Sequence, residues 1–257
     1  AAQGGSGASE EPDPADIVVT AQKREERLLE APQSVSVLSG DDLAKLNATQ
    51  FSDFASSVPG LQFTTQGPGK SSVSRRGVTP GADVIQTVGI YVDEVPYGST
   101  SAFARGAQLA LDVGLFDLDR VEVLRGPQGT LYGASSMGGV LKYVTNRPDP
   151  GGFEGRLQAG VSDTRHGGVN YNGAAVVNVP LAPDRAALRA SGFYSRNGGY
   201  VDNLETGEKE ADRGEVYGGR LDLLLRPVDD LSIRVTGFAQ NVRRQNALYA
   251  HYTLGGD

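Results

Sequence analysis

The 257-residue sequence contains no cysteine, no tryptophan and only two histidines, His166 and His251. Without cysteine, neither a disulfide framework nor a thiolate metal site can form. Two histidines so far apart in sequence do not make a histidine-rich metal site either, and no cofactor is expected. No run of 18 apolar residues occurs, which excludes a membrane-spanning helix. It does not exclude spanning β-strands, which are short, alternate in polarity and leave little trace in hydropathy. Excess basic charge is also missing: 24 Lys and Arg stand against 31 Asp and Glu, for a net charge of −7 and a pI near 5.0, which argues against a nucleic-acid partner. A basic-then-apolar leader is absent, and the start AAQGGSGASEEPDP reads as an already processed N-terminus.

Catalytic signatures are scarce too. Gly69-Lys70-Ser71 ends like a phosphate-binding loop, but that loop needs glycine five residues earlier, where Thr64 stands. Ser135 and Ser136 lie among glycines without forming a G-x-S-x-G elbow. No nucleophile–base pair or paired carboxylates can be read, so an enzyme is not expected.

Glycine is abundant, at 35 residues, about twice the usual share. Residues 1–15 are too polar to order themselves and read as a mobile tail. Asp16-Ile17-Val18-Val19-Thr20-Ala21 follows, a β-branched run suited to strand pairing, either as an edge strand of the next domain or with a partner. Lys23 to Arg27 reads as a solvated connector. Val35 and Val37 share one face of a short strand. Ser39 then caps a helix, with Asp42 at its third position and Leu38 and Leu43 as a hydrophobic staple. A second helix carries Phe51, Phe54, Ala55 and Val58 as a buried stripe and stops at Pro59-Gly60. Strands are expected at 61–64, 72–78 and 88–95, the last entering a turn at Pro96-Tyr97-Gly98, with polar connections at 65–71 and 99–114.

The densest stretch is Arg120 to Pro148, RVEVLRGPQGTLYGASSMGGVLKYVTNRP: two β-rich runs around an Arg-Gly-Pro turn and a glycine-studded middle. This line resembles the plug-domain signature of TonB-dependent outer-membrane receptors. Pro59-Gly60-Leu61, Arg75-Arg76-Gly77 and Tyr91-Val92-Asp93 follow the same family order. Glu94 departs from it, standing where the family usually has glycine, so the turn after Asp93 is expected to differ.

After the Pro/Gly linker 148–152 come five alternating runs. Their apolar faces are Phe153 to Val161, Tyr171 to Val179, Leu188 to Tyr194, Tyr217 to Leu225 and Leu231 to Ala239. Each is about ten residues long, the span of a tilted membrane strand. Short and long turns alternate between them, as in outer-membrane barrels. A soluble β-sandwich shares this alternation, but here the opposite faces carry Arg and Glu, as a polar lumen would. The fold class expected is an α+β plug, a small mixed sheet with short helices, followed by antiparallel strands of an incomplete transmembrane β-barrel. The divisions are 1–33 (flexible N-terminus with TonB box), 34–150 (plug) and 151–257 (wall strands). Five strands cannot close a barrel, so the chain is expected to be the N-terminal part of a longer receptor lacking an added N-terminal signalling domain.

The resemblance implies active transport of a scarce nutrient, most often a ferric siderophore, with cobalamin and oligosaccharides as alternatives. It implies TonB as the partner of residues 16–21 by strand addition, outer-membrane lipid around the wall and an extracellular nutrient ligand. Long polar plug loops make Gln66, Lys70, Tyr97, Phe103, Arg105 and Gln108 the substrate candidates. The family associates the arginines of its RG turns, here Arg76 and Arg125, with glutamates of the barrel wall.

Overall fold

The structure, a computed structural model, describes residues 17–46, 48, 51–58, 61–65, 71–75, 87–98, 114, 116–133, 136–203 and 206–244. The expected tail, the Pro59-Gly60 stop and residues 76–78 lie outside them. In chain order the elements are β1 (Val18–Val19), β2 (Glu26–Arg27), β3 (Val35–Ser39), α1 (Gly40–Lys45), α2 (Phe51–Ala55), β4 (Leu61–Thr65) and β5 (Ser71–Arg75). Then follow β6 (Val88–Val92), β7 (Val95–Pro96), β8 (Leu118–Arg125), α3 (Gly129–Tyr132) and β9 (Gly139–Thr145). The wall strands are β10 (Glu154–Asp163), β11 (Val169–Ala182), β12 (Ala186–Asn197), β13 (Gly214–Val228) and β14 (Leu231–Arg244). Among the described residues no helix is long and apolar enough to cross a membrane.

The plug is built on a five-stranded mixed sheet of order β3-β8-β9-β6-β7, in which β6 and β9 run parallel and the other pairs antiparallel. Period-two alternation sends Val121 and Val123 of β8 and Leu141 and Tyr143 of β9 to one face. There they bury against Leu43 of α1 and Phe51, Phe54 and Val58 of the α2 segment. Phe51 and Phe54 meet edge to face at 5.0 Å. Helix α1 starts as its sequence dictates: the Ser39 hydroxyl accepts from the Asp42 amide at 3.1 Å and the Asp42 carboxylate accepts back from the Ser39 amide, a closed capping box. Gly40 opens the helix where a Cβ would collide with the Leu118 carbonyl of β8, so only glycine lets α1 sit this close to the sheet.

The other sheet face carries Leu124 and Val140 together with two charged residues, Glu122 and Lys142, paired directly across β8 and β9. It is covered by the N-terminal segment. Val19 and Ala21 are fully buried there beside Tyr91, Tyr132, Leu124 and Val140. This differs from a flexible 1–33 region and a solvated connector: β1 pairs antiparallel with β2, Val18 opposite Arg27, and residues from Ile17 to Ala31 pack on the plug. The β-branched run supplies the apolar contacts, and its backbone polar groups find partners in the sheet.

Strands β10 to β14 form one antiparallel meander in sequence order, the five strands expected, each 10 to 15 residues long. Their connections are short at one rim (183–185 and 229–230) and longer at the other (198–213).

Candidate functional site

Two constellations stand out, one beneath the plug and one between plug and wall. In the first, Glu122 has no exposure and Lys142 only 1%. Glu122 Oε1 accepts from the Thr20 amide (2.8 Å), the Thr20 hydroxyl (3.1 Å) and Arg120 Nε (2.8 Å). Lys142 Nζ donates to the Thr20 carbonyl at 3.2 Å and pairs with the Glu94 carboxylate. The Tyr132 hydroxyl donates to the Ala21 carbonyl at 2.8 Å, and the Tyr91 hydroxyl donates to the Tyr132 carbonyl at 2.5 Å. Burial, reinforced by the Glu94 charge, pushes the Tyr91 and Tyr132 phenols above their ordinary range, so both remain donors.

Thr20-Ala21 is thus held by side chains of the sheet and of α3, not by a β-ladder. Such a latch can be undone without tearing the sheet apart. It is also incompletely satisfied, because Glu122 Oε2 is buried with no hydrogen-bond partner. Of the strand-addition candidates, Ile17 is half-buried and Val18 is exposed by 42%, while Val19, Thr20 and Ala21 are covered; Asp16 lies outside the described residues. Glu94, the departure from the family pattern, follows Asp93 at φ +52° and places its carboxylate on Lys142.

The second constellation joins plug to wall. Inward-facing side chains of β12, β13 and β14 meet the plug through an alternating chain of charges: Asp93, Arg234, Asp222, Arg220, Asp117, Arg189 and Glu154. The links measure 3.4, 2.7, 3.3, 2.5, 2.6 and 2.8 Å in that order. Asp117, at φ +62° and with a buried side chain, takes two arginines from neighbouring strands, and Arg156 approaches at 3.7 Å. Thr145 at the end of β9 accepts from Arg234 at 2.7 Å and bonds Asp93 through both its amide and its hydroxyl. Asn178 of β11 pins the linker by donating to the carbonyls of Asp149 and Gly152.

The described plug–wall ion pairs join plug aspartates to wall arginines, a different set from the plug arginines and wall glutamates that the resemblance implies. Arg125 does not reach the described wall; its guanidinium donates to Ser36 within the plug at 2.6 Å. Arg76 lies outside the described residues, as do Gln66, Lys70, Phe103, Arg105 and Gln108. Tyr97 is the one described substrate candidate; half-buried, it packs edge to face on Phe238 of the wall at 5.8 Å. Glu122 and Lys142 were missed by sequence reasoning, though the phase of alternation in VEV and VLKYV places both opposite the apolar core. Asp117 carries no local signal.

A cavity of about 130 Å³ separates α1 from the inner wall, lined among others by Leu43, Ala44, Phe116, Asn172, Phe193 and Ser195. No group of three or more potential metal ligands occurs among the described residues.

A protein-family model described as "TonB-dependent Receptor Plug Domain" matches residues 27–140. The chain is 37% identical over 155 residues to the pesticin receptor of Yersinia pestis, covering 58% of this chain and 21% of that protein. It is 32% identical over 132 residues to the vitamin B12 transporter BtuB of Vibrio vulnificus (strain YJ016), covering 50% and 20%. Among solved structures, the ferric yersiniabactin uptake receptor FyuA of Yersinia pestis superposes with a TM-score of 0.68 at 26% identity, covering 81% of this chain and 31% of that one. The ferripyoverdine receptor of the outer membrane of Pseudomonas aeruginosa shares the fold, with a TM-score of 0.71 at 19% identity over 88% of this chain and 27% of that one. The chain spans about a fifth of the length of these curated relatives.

Proposed function

We propose that this chain, which belongs to the TonB-dependent outer-membrane receptor family, works as the plug and adjoining wall of an active importer in the bacterial outer membrane. Its substrate is a scarce extracellular nutrient, a ferric siderophore before cobalamin or an oligosaccharide. The observation that carries the reading is the latch: a β-branched segment lies against the plug through a few side-chain bonds, with Val18 exposed, so a partner strand has an edge to grasp. TonB is that partner, and residues 16–21 are its docking segment. The loops carrying Gln66, Lys70, Tyr97, Phe103, Arg105 and Gln108 face the nutrient, and Arg76 contributes to holding the plug in the wall, while Arg125 braces the plug internally through Ser36. The names of the FyuA and ferripyoverdine receptors favour a siderophore, and the B12 transporter name keeps cobalamin as the alternative.

Strand addition runs on backbone donors, so Val18→Pro removes one while leaving the substrate loops untouched. Cells carrying the variant are expected to bind radio-iron siderophore at the surface and to fail to accumulate it. Accumulation equal to the parent overturns the docking assignment. Labelled cobalamin, run in parallel, separates the two nutrient classes.

A further inference from the structure

The wall has two faces of unequal chemistry. Inward positions hold the arginines that grip the plug, and outward positions of opposite parity are apolar and exposed, Leu157 by 81% and Val235 by 58%. Along this outward face no charged residue occurs between the short-turn rim and three tyrosines near the other end. Tyr171, Tyr194 and Tyr217 stack in a ladder across β11, β12 and β13, with ring centroids 5.9 and 6.5 Å apart and planes inclined by 22° in each pair. An aromatic girdle of this kind marks the boundary between hydrocarbon and headgroups.

The next outward row contains Arg196, Glu215 and Arg243 in direct register across β12, β13 and β14. Arg196 lies over the Tyr171 ring, 5.4 Å from its centroid, and donates to the Tyr171 hydroxyl at 3.0 Å. Arg243 lies 5.6 Å over the Tyr217 ring. The rings fix both guanidiniums without neutralising them. Neither makes an ion pair among the described residues, and Glu215, directly opposite both in the strand register, leaves the row with a net positive charge. Arg196 Nε is buried with no hydrogen-bond partner. Oriented cations without an ion-pair partner, set at headgroup level above an apolar wall, call for an anion whose other end is apolar.

We propose that Arg196 and Arg243, on the tyrosine ladder, form a binding site for a phosphorylated lipid headgroup of the outer leaflet. The phosphate takes the arginine donors and the acyl chains lie down the outward face past Leu221 and Val235. The site faces away from the lumen and uses none of the residues assigned to partner or nutrient.

The test uses the detergent-purified full-length receptor and native mass spectrometry. The probes are dioctanoyl phosphatidic acid, dioctanoyl glycerol (the same chains without phosphate) and inorganic phosphate. Each arginine contributes about fivefold to binding an anionic headgroup. Arg196→Gln with Arg243→Gln is therefore expected to weaken phosphatidic acid binding by about 25-fold and leave the glycerol lipid unchanged. Arg243→Gln alone, which spares the Tyr171 hydrogen bond, is expected to weaken it by about fivefold. The charge-matched pair Arg185→Gln with Arg226→Gln, at the opposite rim, is expected to have no effect. Equal phosphatidic acid binding by parent and both arginine variants overturns the site. Inorganic phosphate displacing the lipid at equal concentration reduces it to an ion site and overturns the lipid assignment.

Discussion

Asp117→Ala offers the sharpest test of how the plug is held. Its carboxylate is fully buried between Arg189 and Arg220, whose side chains are exposed by only 4% and 7%. Removing one partner of a buried ion pair costs about 3–5 kcal/mol, because the remaining charge stays desolvated. Here each arginine keeps a second carboxylate, Glu154 for Arg189 and Asp222 for Arg220, so the lower end applies, about 3 kcal/mol. The chain contains no cysteine, so Val58→Cys, at a position only 2% exposed in the plug core, reports plug opening through its thiol reactivity. With a urea slope of about 1.5 kcal/mol per M, Asp117→Ala in that background lowers the midpoint of thiol exposure by about 2 M. Asp117→Asn, which keeps an acceptor but no charge, falls between. A midpoint within about 0.5 M of the parent would refute the idea that this carboxylate anchors the plug.

The latch makes its own predictions. Glu122→Gln removes the charge from the acceptor of the Thr20 amide, a bond worth about 1.5–3 kcal/mol, so hydrogen exchange at Thr20 should accelerate by about tenfold or more while β3 amides hold steady. Tyr132→Phe deletes one neutral bond to Ala21 and should accelerate exchange across residues 18–21 by a smaller factor, about fivefold. At the α1 cap, the Ser39 hydroxyl bond holds the Asp42 carboxyl below its ordinary 3.8. A depressed carboxylate contributes stability that is complete above that ordinary value and lost as pH falls through the lower folded value. Ser39→Ala should therefore destabilise the plug by about 1 kcal/mol at pH 7 and flatten its acid-induced loss of stability below about pH 4, measured by thermal melts across pH.

What could be read from sequence was what is local. The capping box needs only Ser39 and Asp42, three residues apart, and the α2 stripe needs only the spacing of Phe51, Phe54 and Val58. The five wall strands follow from period-two alternation, and their inward polar face was visible as a row of Arg and Glu. What escaped was the identity of partners. Asp117 meets Arg189 and Arg220 across 72 and 103 residues of chain, and nothing near Phe116-Asp117 marks it as buried. Alternation puts Glu122 and Lys142 on the second sheet face, but it cannot say that Val19 to Ala21 will cover that face. The resemblance carried the fold, yet it pointed to Arg125 as a wall contact, and Arg125 instead donates to Ser36 within the plug. Five of the six nutrient candidates lie outside the described residues, and Tyr97 packs on Phe238.

The alternating charges that run from Asp93 to Glu154 constrain how this interface can drift through evolution. Every internal member serves two neighbours of opposite sign, so reversing any one of them sets two like charges face to face at once. Compensation would need changes on the plug and on four wall strands, β10, β12, β13 and β14, together. Substitution is therefore cheapest at Glu154, a half-exposed end that closes a single link to an arginine, whereas Asp93 at the other end also accepts from the Thr145 amide and hydroxyl. Descendants of this sequence are expected to vary at Glu154 first, while Asp117 and its two arginines persist or are replaced only as a set by uncharged residues of matching volume.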